Sequence, residues 1–370
     1  MIKPKILYIC LIVALVVACF TGCTISQKNE LKNAKETKKL NETNEDQKSN
    51  NHPYISIVYG RDNRDNYTER EMVFYTYDIE KEELVEECVI PFDSQYACGV
   101  VSKQNNKIYY SGRTKPNDIN SNDGIWEYDM LTGETVLLEN ENWSYNSISM
   151  MGNDKLFVMA LTKDHPILPA YFDLKTKKFT YMSDANGEEM GIFNCGPCDA
   201  QYNTSTDEIV CAYQNDAESY SEAYMEGETA IDTYIAFTST DMVKDNERIY
   251  PMNLKVDDQV MSVTQISKTE CLVGVHHTAV NNGDIDIEER LFLVKIDGEN
   301  SCAKRIDFPF DDSSDWKTMD GGKSFYFKKG IDNKGLYYYD TDTEELSAII
   351  EGNEENNGHV VCYTIVDEKN

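Results

Sequence analysis

The sequence predicts an all-β fold, a six-bladed β-propeller over residues 53–370 whose ring is closed by the C-terminal strand joining the first blade. Three observations predict it. A strand ending in an aromatic residue and Asp, then a polar turn and a second strand, recurs along the chain. Each copy follows a further strand pair, so the repeating unit holds four strands. The repeat region also opens one strand short, and the chain ends one strand long.

The aromatic-Asp strands are Val73–Asp78, Gly124–Asp129, Ala170–Asp173 and Leu336–Asp340. Their partners begin after short turns, at Glu80, Leu131, Lys175 and Asp342. Degenerate copies lie at Tyr234–Thr238 and Leu291–Asp297. The preceding pairs are Gly99–Ser102 with Lys107–Ser111, Asn146–Met150 with Lys155–Ala160, Asp199–Tyr202 with Glu208–Tyr213, and Ser262–Ile266 with Glu270–Val275. Asn and Gly fill the turns at Gln104–Asn106, Gly152–Asp154 and Asp320–Gly322, as tight hairpins require. Six units fit; seven is the alternative if long insertions conceal one.

Four-stranded sheets repeated radially leave short, protected edges. The first unit starts at Tyr54–Tyr59 without an innermost strand, and His359–Val366 is the spare strand that completes it.

This aromatic-Asp, turn, strand repeat resembles the six-bladed TolB-like propellers, including propeller lipoproteins of Gram-positive bacteria. The likeness covers nearly all of residues 54–366 and implies a fold without implying a reaction. Ser121–Trp126 resembles a sialidase-type Asp box, but it lacks a residue between Asp and Gly and occurs once.

The N-terminus has a different character. Lys3 and Lys5 precede an apolar run, Ile6–Phe20, and then Thr21, Gly22 and Cys23. This is the layout of a secretory signal peptide, and the run is shorter than the roughly 20 residues that span a bilayer. Phe20–Cys23 resembles a bacterial lipobox, which makes Cys23 the expected lipidation site; Val16–Cys19 resembles one too, with Cys19 as the alternative. Residues 1–22 therefore read as a lipoprotein signal peptide. Residues 23–52 read as the lipidated cysteine and a disordered linker, because their Lys, Asn, Glu and Gln cannot bury enough apolar surface to offset chain entropy. The expected location is outside the cytoplasm, lipid-anchored to the outer face of the bacterial cytoplasmic membrane, with membrane lipid as one partner.

Acidic residues number 65 against 35 basic, a formal charge of −30. That excess argues against nucleic acid, whose phosphates require basic patches. The eight cysteines beyond the signal sit mostly within strands, where a free thiol serves as a small apolar group. Cys195 and Cys198 form a CGPC tetrapeptide and are candidates for a local disulfide. The following residues read as strand and turn, not as the helix that activates such a motif.

The long loops are expected to join second to third strands, at Arg61–Glu71, Arg113–Asp123, Gln214–Asp232 and His276–Glu289, with a further loop at Ser183–Asn194 between blades. They share one face, and binding concentrates on such loops. The candidate binding residues are Asp216, Glu218, Tyr220, Glu222, Tyr224, Glu226 and Glu228, with His276 and His277 at a strand end. Asp284 and Asp286 lie in an oxygen-rich stretch that could take calcium. No cofactor is required by any motif, and calcium is the candidate ion.

The sequence therefore reads as a tethered, noncatalytic binding or scaffold propeller for an extracellular protein, peptide or glycan. The alternative is a hydrolase or lactonase-like propeller with a metal at the channel mouth. That alternative requires three or more carboxylates, His or Asn to converge there. A sensor subunit beside a membrane partner is a third reading.

Overall fold

The computed structural model describes residues 52–367, apart from 64–68, 117, 164–166, 184–185, 188–198, 215–232, 244–246, 256–257, 282–283, 307, 311 and 331–333. The expected signal peptide and linker, with Cys19 and Cys23, lie outside the described residues.

Among the described residues, twenty-four strands form six antiparallel four-stranded sheets, which makes six blades. From the channel outward, the first blade is β24 (His359–Val366), β1 (Tyr54–Asp62), β2 (Arg70–Asp78) and β3 (Glu83–Pro91). The second is β4 (Gly99–Ser102), β5 (Lys107–Arg113), β6 (Asp123–Asp129) and β7 (Thr135–Glu139). The third is β8 (Ser144–Met151), β9 (Lys155–Leu161), β10 (Leu168–Asp173) and β11 (Lys178–Tyr181). The fourth is β12 (Asp199–Asn203), β13 (Glu208–Gln214), β14 (Thr233–Thr238) and β15 (Arg248–Pro251). The fifth is β16 (Asp258–Ser267), β17 (Glu270–Asn281), β18 (Asp284–Asp297) and β19 (Asn300–Ile306). The sixth is β20 (Ser313–Lys317), β21 (Ser324–Lys329), β22 (Gly335–Asp340) and β23 (Leu346–Ile350).

The ring closes as the sequence predicts. β24 pairs antiparallel with β1, from Tyr54 opposite Val366 to Gly60 opposite His359. Side chains bind this mixed blade to both neighbours. The Tyr54 hydroxyl donates to the Val101 carbonyl at 2.8 Å in the second blade. The Tyr363 hydroxyl donates to the Tyr326 carbonyl at 2.8 Å in the sixth.

Strand periodicity explains why blades stack into a ring. Successive side chains point to opposite faces of a strand. Along β9, Leu156, Val158 and Ala160 enter the seam with the second blade, while Phe157 and Met159 enter the seam with the fourth. Along β13, Ile209, Cys211 and Tyr213 face the third blade, while Val210 and Ala212 face the fifth. These second strands are therefore apolar on both faces. Each of the six seams holds its own buried cluster. A fully buried Val, Leu or Phe stabilises by about 1.5–3 kcal/mol, so the second strands contribute strongly to the seams. The outer β3, by contrast, leaves Val85 and Val89 exposed.

The recurring Asp has a local cause. Its Oδ1 accepts two backbone amide hydrogens of the following turn. Asp129 accepts from Leu131 and Thr132 at 2.8 and 2.9 Å. Asp173 accepts from Lys175 and Thr176 at 2.9 and 2.7 Å, and Asp340 from Asp342 and Thr343 at 2.9 and 2.8 Å. Asp78 does the same for Glu80 and Lys81. Four residues after each Asp the backbone is left-handed, at Glu82, Gly133, Lys177 and Glu344. The motif is thus an Asx turn that reverses the third strand into the fourth.

One predicted loop is corrected. His276–Glu289 is not a long loop: β17 and β18 stay paired from His276 opposite Glu289 to Asn281 opposite Asp284. The physical reason is the period-two alternation of Thr278, Val280, Ile285 and Ile287, which continues the ladder past its polar neighbours.

Candidate functional site in the central channel

The six inner strands converge on a central cavity of about 680 Å³. In antiparallel blades of this order, the inner strands begin on the face that carries the second-to-third-strand connections. The cavity is lined by side chains of different chemistry on its two sides.

One side comes from the third and fourth blades. Asn146, Ser147 and Ser149 of β8 and Asp199, Gln201 and Asn203 of β12 line it. Asp199 opens β12 and is a lone carboxylate here. Its Oδ2 accepts from the Val263 amide at 2.9 Å and from Gln201 Nε2 at 3.3 Å. Among the described residues no cation forms an ion pair with it. Burial raises its pKa above the usual carboxylate range, and the Val263 amide and the more distant Lys317 only partly oppose that.

The other side comes from the sixth blade and β24, and its charges are paired. Lys317 Nζ lies 2.8 Å from Asp315 Oδ1, and Lys328 Nζ lies 3.5 Å from Oδ2. Burial pushes the Asp315 carboxyl up, but Lys317 and Lys328 more than reverse this and hold it below its ordinary pKa. Asp315 sits at φ +54°, where β20 bulges against β21. Lys317 also stands over the Tyr363 ring, 4.9 Å from its centroid. The two channel carboxylates thus differ by their partners: cations bracket Asp315, while Asp199 has amide donors.

At the mouth, His276 Nε2 lies 3.8 Å from Glu289 Oε1, and Lys334 Nζ lies 3.5 Å from the same oxygen. Lys334 also donates to Ser314 Oγ at 3.0 Å. His277 turns the other way. Its Nδ1 lies 2.8 Å from Asp258 Oδ1, which Arg290 also approaches at 3.4 Å, and Arg290 reaches Glu288 at 2.6 Å. The adjacent histidines serve separate networks on opposite faces of β17, as strand geometry dictates.

The other sequence candidates fall as follows. Asp216, Glu218, Tyr220, Glu222, Tyr224, Glu226 and Glu228 lie outside the described residues, as do Cys195 and Cys198. Asp284 and Asp286 stand at alternate positions of β18. Among the described residues no group of three or more His, Cys, Asp or Glu side chains is placed to hold a metal ion. Among the described residues, Cys88, Cys98, Cys211, Cys271, Cys302 and Cys362 form no disulfide. The channel charges Asp199, Asp315, Lys317, Lys328 and Lys334 escape a motif search. For Asp199, Asp315 and Lys317 the one local signal is charge inside an inner strand, as in the Ser313–Lys317 stretch.

No protein-family model matches the sequence, and no curated protein matches it. Solved structures do. The chain is similar to the β-propeller domain of the Trilobed protease from Pyrococcus furiosus, at 15% identity over 81% of this chain and 80% of that one, with a TM-score of 0.42. It is similar to the N-terminal domain of Nup159 at 8% identity, over 84% of each chain, with a TM-score of 0.45. It is also similar to oligopeptidase B from Trypanosoma brucei at 10% identity, over 82% of this chain and 41% of that one, with a TM-score of 0.43. At these identities the likeness concerns the fold alone.

Proposed function

We propose that this chain is an exported lipoprotein, anchored through Cys23 to the outer face of a bacterial cytoplasmic membrane, whose propeller binds a polar extracellular ligand in its channel without transforming it. The anchor half of this reading rests on the signal-peptide layout and the lipobox-like Phe20–Cys23 stretch. The binding half rests on one observation above all: the charges of the sixth-blade side and the mouth are paired within the protein, Asp315 with Lys317 and Lys328, and Glu289 with Lys334. Groups so paired are poor acids, bases or metal ligands, but they present a fixed polar surface to a ligand. The facing hydroxyls and amides of Asn146, Ser147, Ser149 and Gln201 suit a glycan or a peptide backbone, which offers donors and acceptors in alternation.

The experiment is a glycan and peptide array probed with residues 53–370, run with calcium and with chelator. A ligand whose capture falls when Asn146 and Gln201 are both replaced by Ala supports the reading. Capture indifferent to that pair, or turnover of a captured ester or lactone, would overturn it. Export and anchoring are checked separately, by palmitate labelling of the full chain and its loss in Cys23→Ser.

A further inference from the structure

Asp199 is anomalous in this channel. It lines the cavity at the start of an inner strand, and among the described residues it has no ion-pair partner. The hydrogen bonds from the Val263 amide and Gln201 Nε2 both land on Oδ2, and the Ala200 amide also interacts with the carboxyl. The nearby lysines are committed elsewhere: Lys317 and Lys328 hold Asp315, and Lys334 holds Glu289 and Ser314. Asp199 is half-buried and lines the cavity, so a cation arriving there would meet a carboxylate that is not yet paired with a charge.

We propose that Asp199 is the anchor for a primary ammonium group, so that the channel selects ligands carrying a free amine. This rests on the channel-binding reading and names its ligand chemistry. The ammonium approaches Oδ1 while the Val263 amide and Gln201 keep Oδ2 in place. The neutral body of the ligand meets Asn146, Ser147 and Ser149 on the adjoining inner strand. The overall charge of −30 favours cation entry at low salt and disfavours anions. An amino sugar and a peptide N-terminus share this chemistry.

The test uses residues 53–370, the unit that holds every described strand, with four probes: glucosamine, N-acetylglucosamine, triglycine and N-acetyl-triglycine. Calorimetry or ligand-observed NMR reads binding. The expected result is binding of at least one amine and at least a tenfold loss on its acetylation, about 1.4 kcal/mol. Which amine binds distinguishes the two sources. Asp199→Asn is expected to lose the same factor while melting near the wild-type temperature, because Asn keeps an acceptor for the Val263 amide. A lower melting point would attribute the loss to folding, so Gln201→Glu is the second variant; a further carboxylate beside Asp199 is expected to tighten amine binding. Absence of amine binding, equal binding of the acetylated probe, or binding unchanged in both variants would overturn the proposal. If arrayed neutral glycans bind through Asn146 and Gln201 while both amines fail, the channel-binding reading stands and the ammonium anchor falls.

Discussion

Tyr54 and Val366 stand directly opposite each other in one antiparallel ladder, though they lie at the two ends of the propeller. The first blade is therefore built from both chain ends, and the ring has no seam without strand pairing or a buried cluster. Removing β24 strips β1 of its inner partner and deletes Val360 and Tyr363 from the seam with the sixth blade. A chain ending at Gly358 is expected to lose its single cooperative thermal transition. Calorimetry of residues 53–358 against 53–370 is the measurement. A sharp, unshifted transition in the shorter chain would show that the strand is decoration.

The Asx turns give a second prediction. Replacing Asp173 or Asp340 by Ala removes the acceptor of two amide hydrogens in each turn. Each variant is expected to melt about 1–3 °C lower, the scale of one to two lost exposed hydrogen bonds in a domain of this size. The carboxyls of all four turns lie below the usual range. The Lys107 ammonium, with the turn amides, holds Asp129 at about 2. Lys81 lowers Asp78, and the turn amides lower Asp173 and Asp340. Depressed folded values mean stability that is present above roughly pH 4 and lost as pH falls through the folded pKa. A pH titration of melting below pH 4 should therefore be shallower in the Asp→Ala variants than in the parent.

How far the sequence carries the fold follows from which contacts are local. Asp129 and its turn lie within four residues of each other, so the motif repeats visibly in the sequence. The spare strand His359–Val366 is legible because its apolar alternation has no partner nearby. The hairpin of the fifth blade is misread because Asn282, Gly283 and Asp284 resemble a loop, whereas the flanking alternation governs the pairing. The channel is the least legible part. Tyr363 lies 37 residues from the Tyr326 carbonyl it meets, and Asp199 lies 64 residues from Val263. Such pairings depend on blade stacking, which no local pattern encodes.

The fifth blade separates buried from exposed charge. The Asp258 side chain is 3% exposed and meets His277 and Arg290, whereas Glu288 and Arg305 are 46% and 45% exposed. Removing Asp258 takes a buried hydrogen-bond partner from His277 and leaves Arg290 with Glu288, at about 1–3 kcal/mol, while exposed pairs contribute up to about 1 kcal/mol. Asp258→Ala is therefore expected to destabilise the domain more than Glu288→Ala. Urea unfolding of the two variants measures the difference, and equal midpoints would mean that water compensates Asp258.

Two buried carboxyls in the second blade set the response near neutral pH. Asp123 is fully buried, with Oδ2 accepting from the Gln95 amide at 2.8 Å and from Ser111 at 3.3 Å, while Oδ1 has no partner. Burial pushes its carboxyl up to about 6, against the pull of those donors. Glu139 is pushed up to about 7 by burial, against the Glu141 and Ile125 amides. Raised folded values mean that the contribution of these groups is fully present below roughly pH 4 and is lost as pH rises through about 6 and about 7. Melting is thus expected to fall from pH 5 to pH 8. A two-unit shift corresponds to roughly 3 kcal/mol. Asp123→Asn retains an acceptor for the Gln95 amide but leaves a buried NH2 without a partner, so it is expected to recover part of this, about 1–2 kcal/mol at pH 8. At pH 5 the gain should be smaller, and it should vanish toward pH 4, where Asp123 is neutral in the folded and unfolded states alike. Parallel melting curves for Asp123→Asn and the parent from pH 5 to pH 8 would mean that the Asp123 charge carries no penalty.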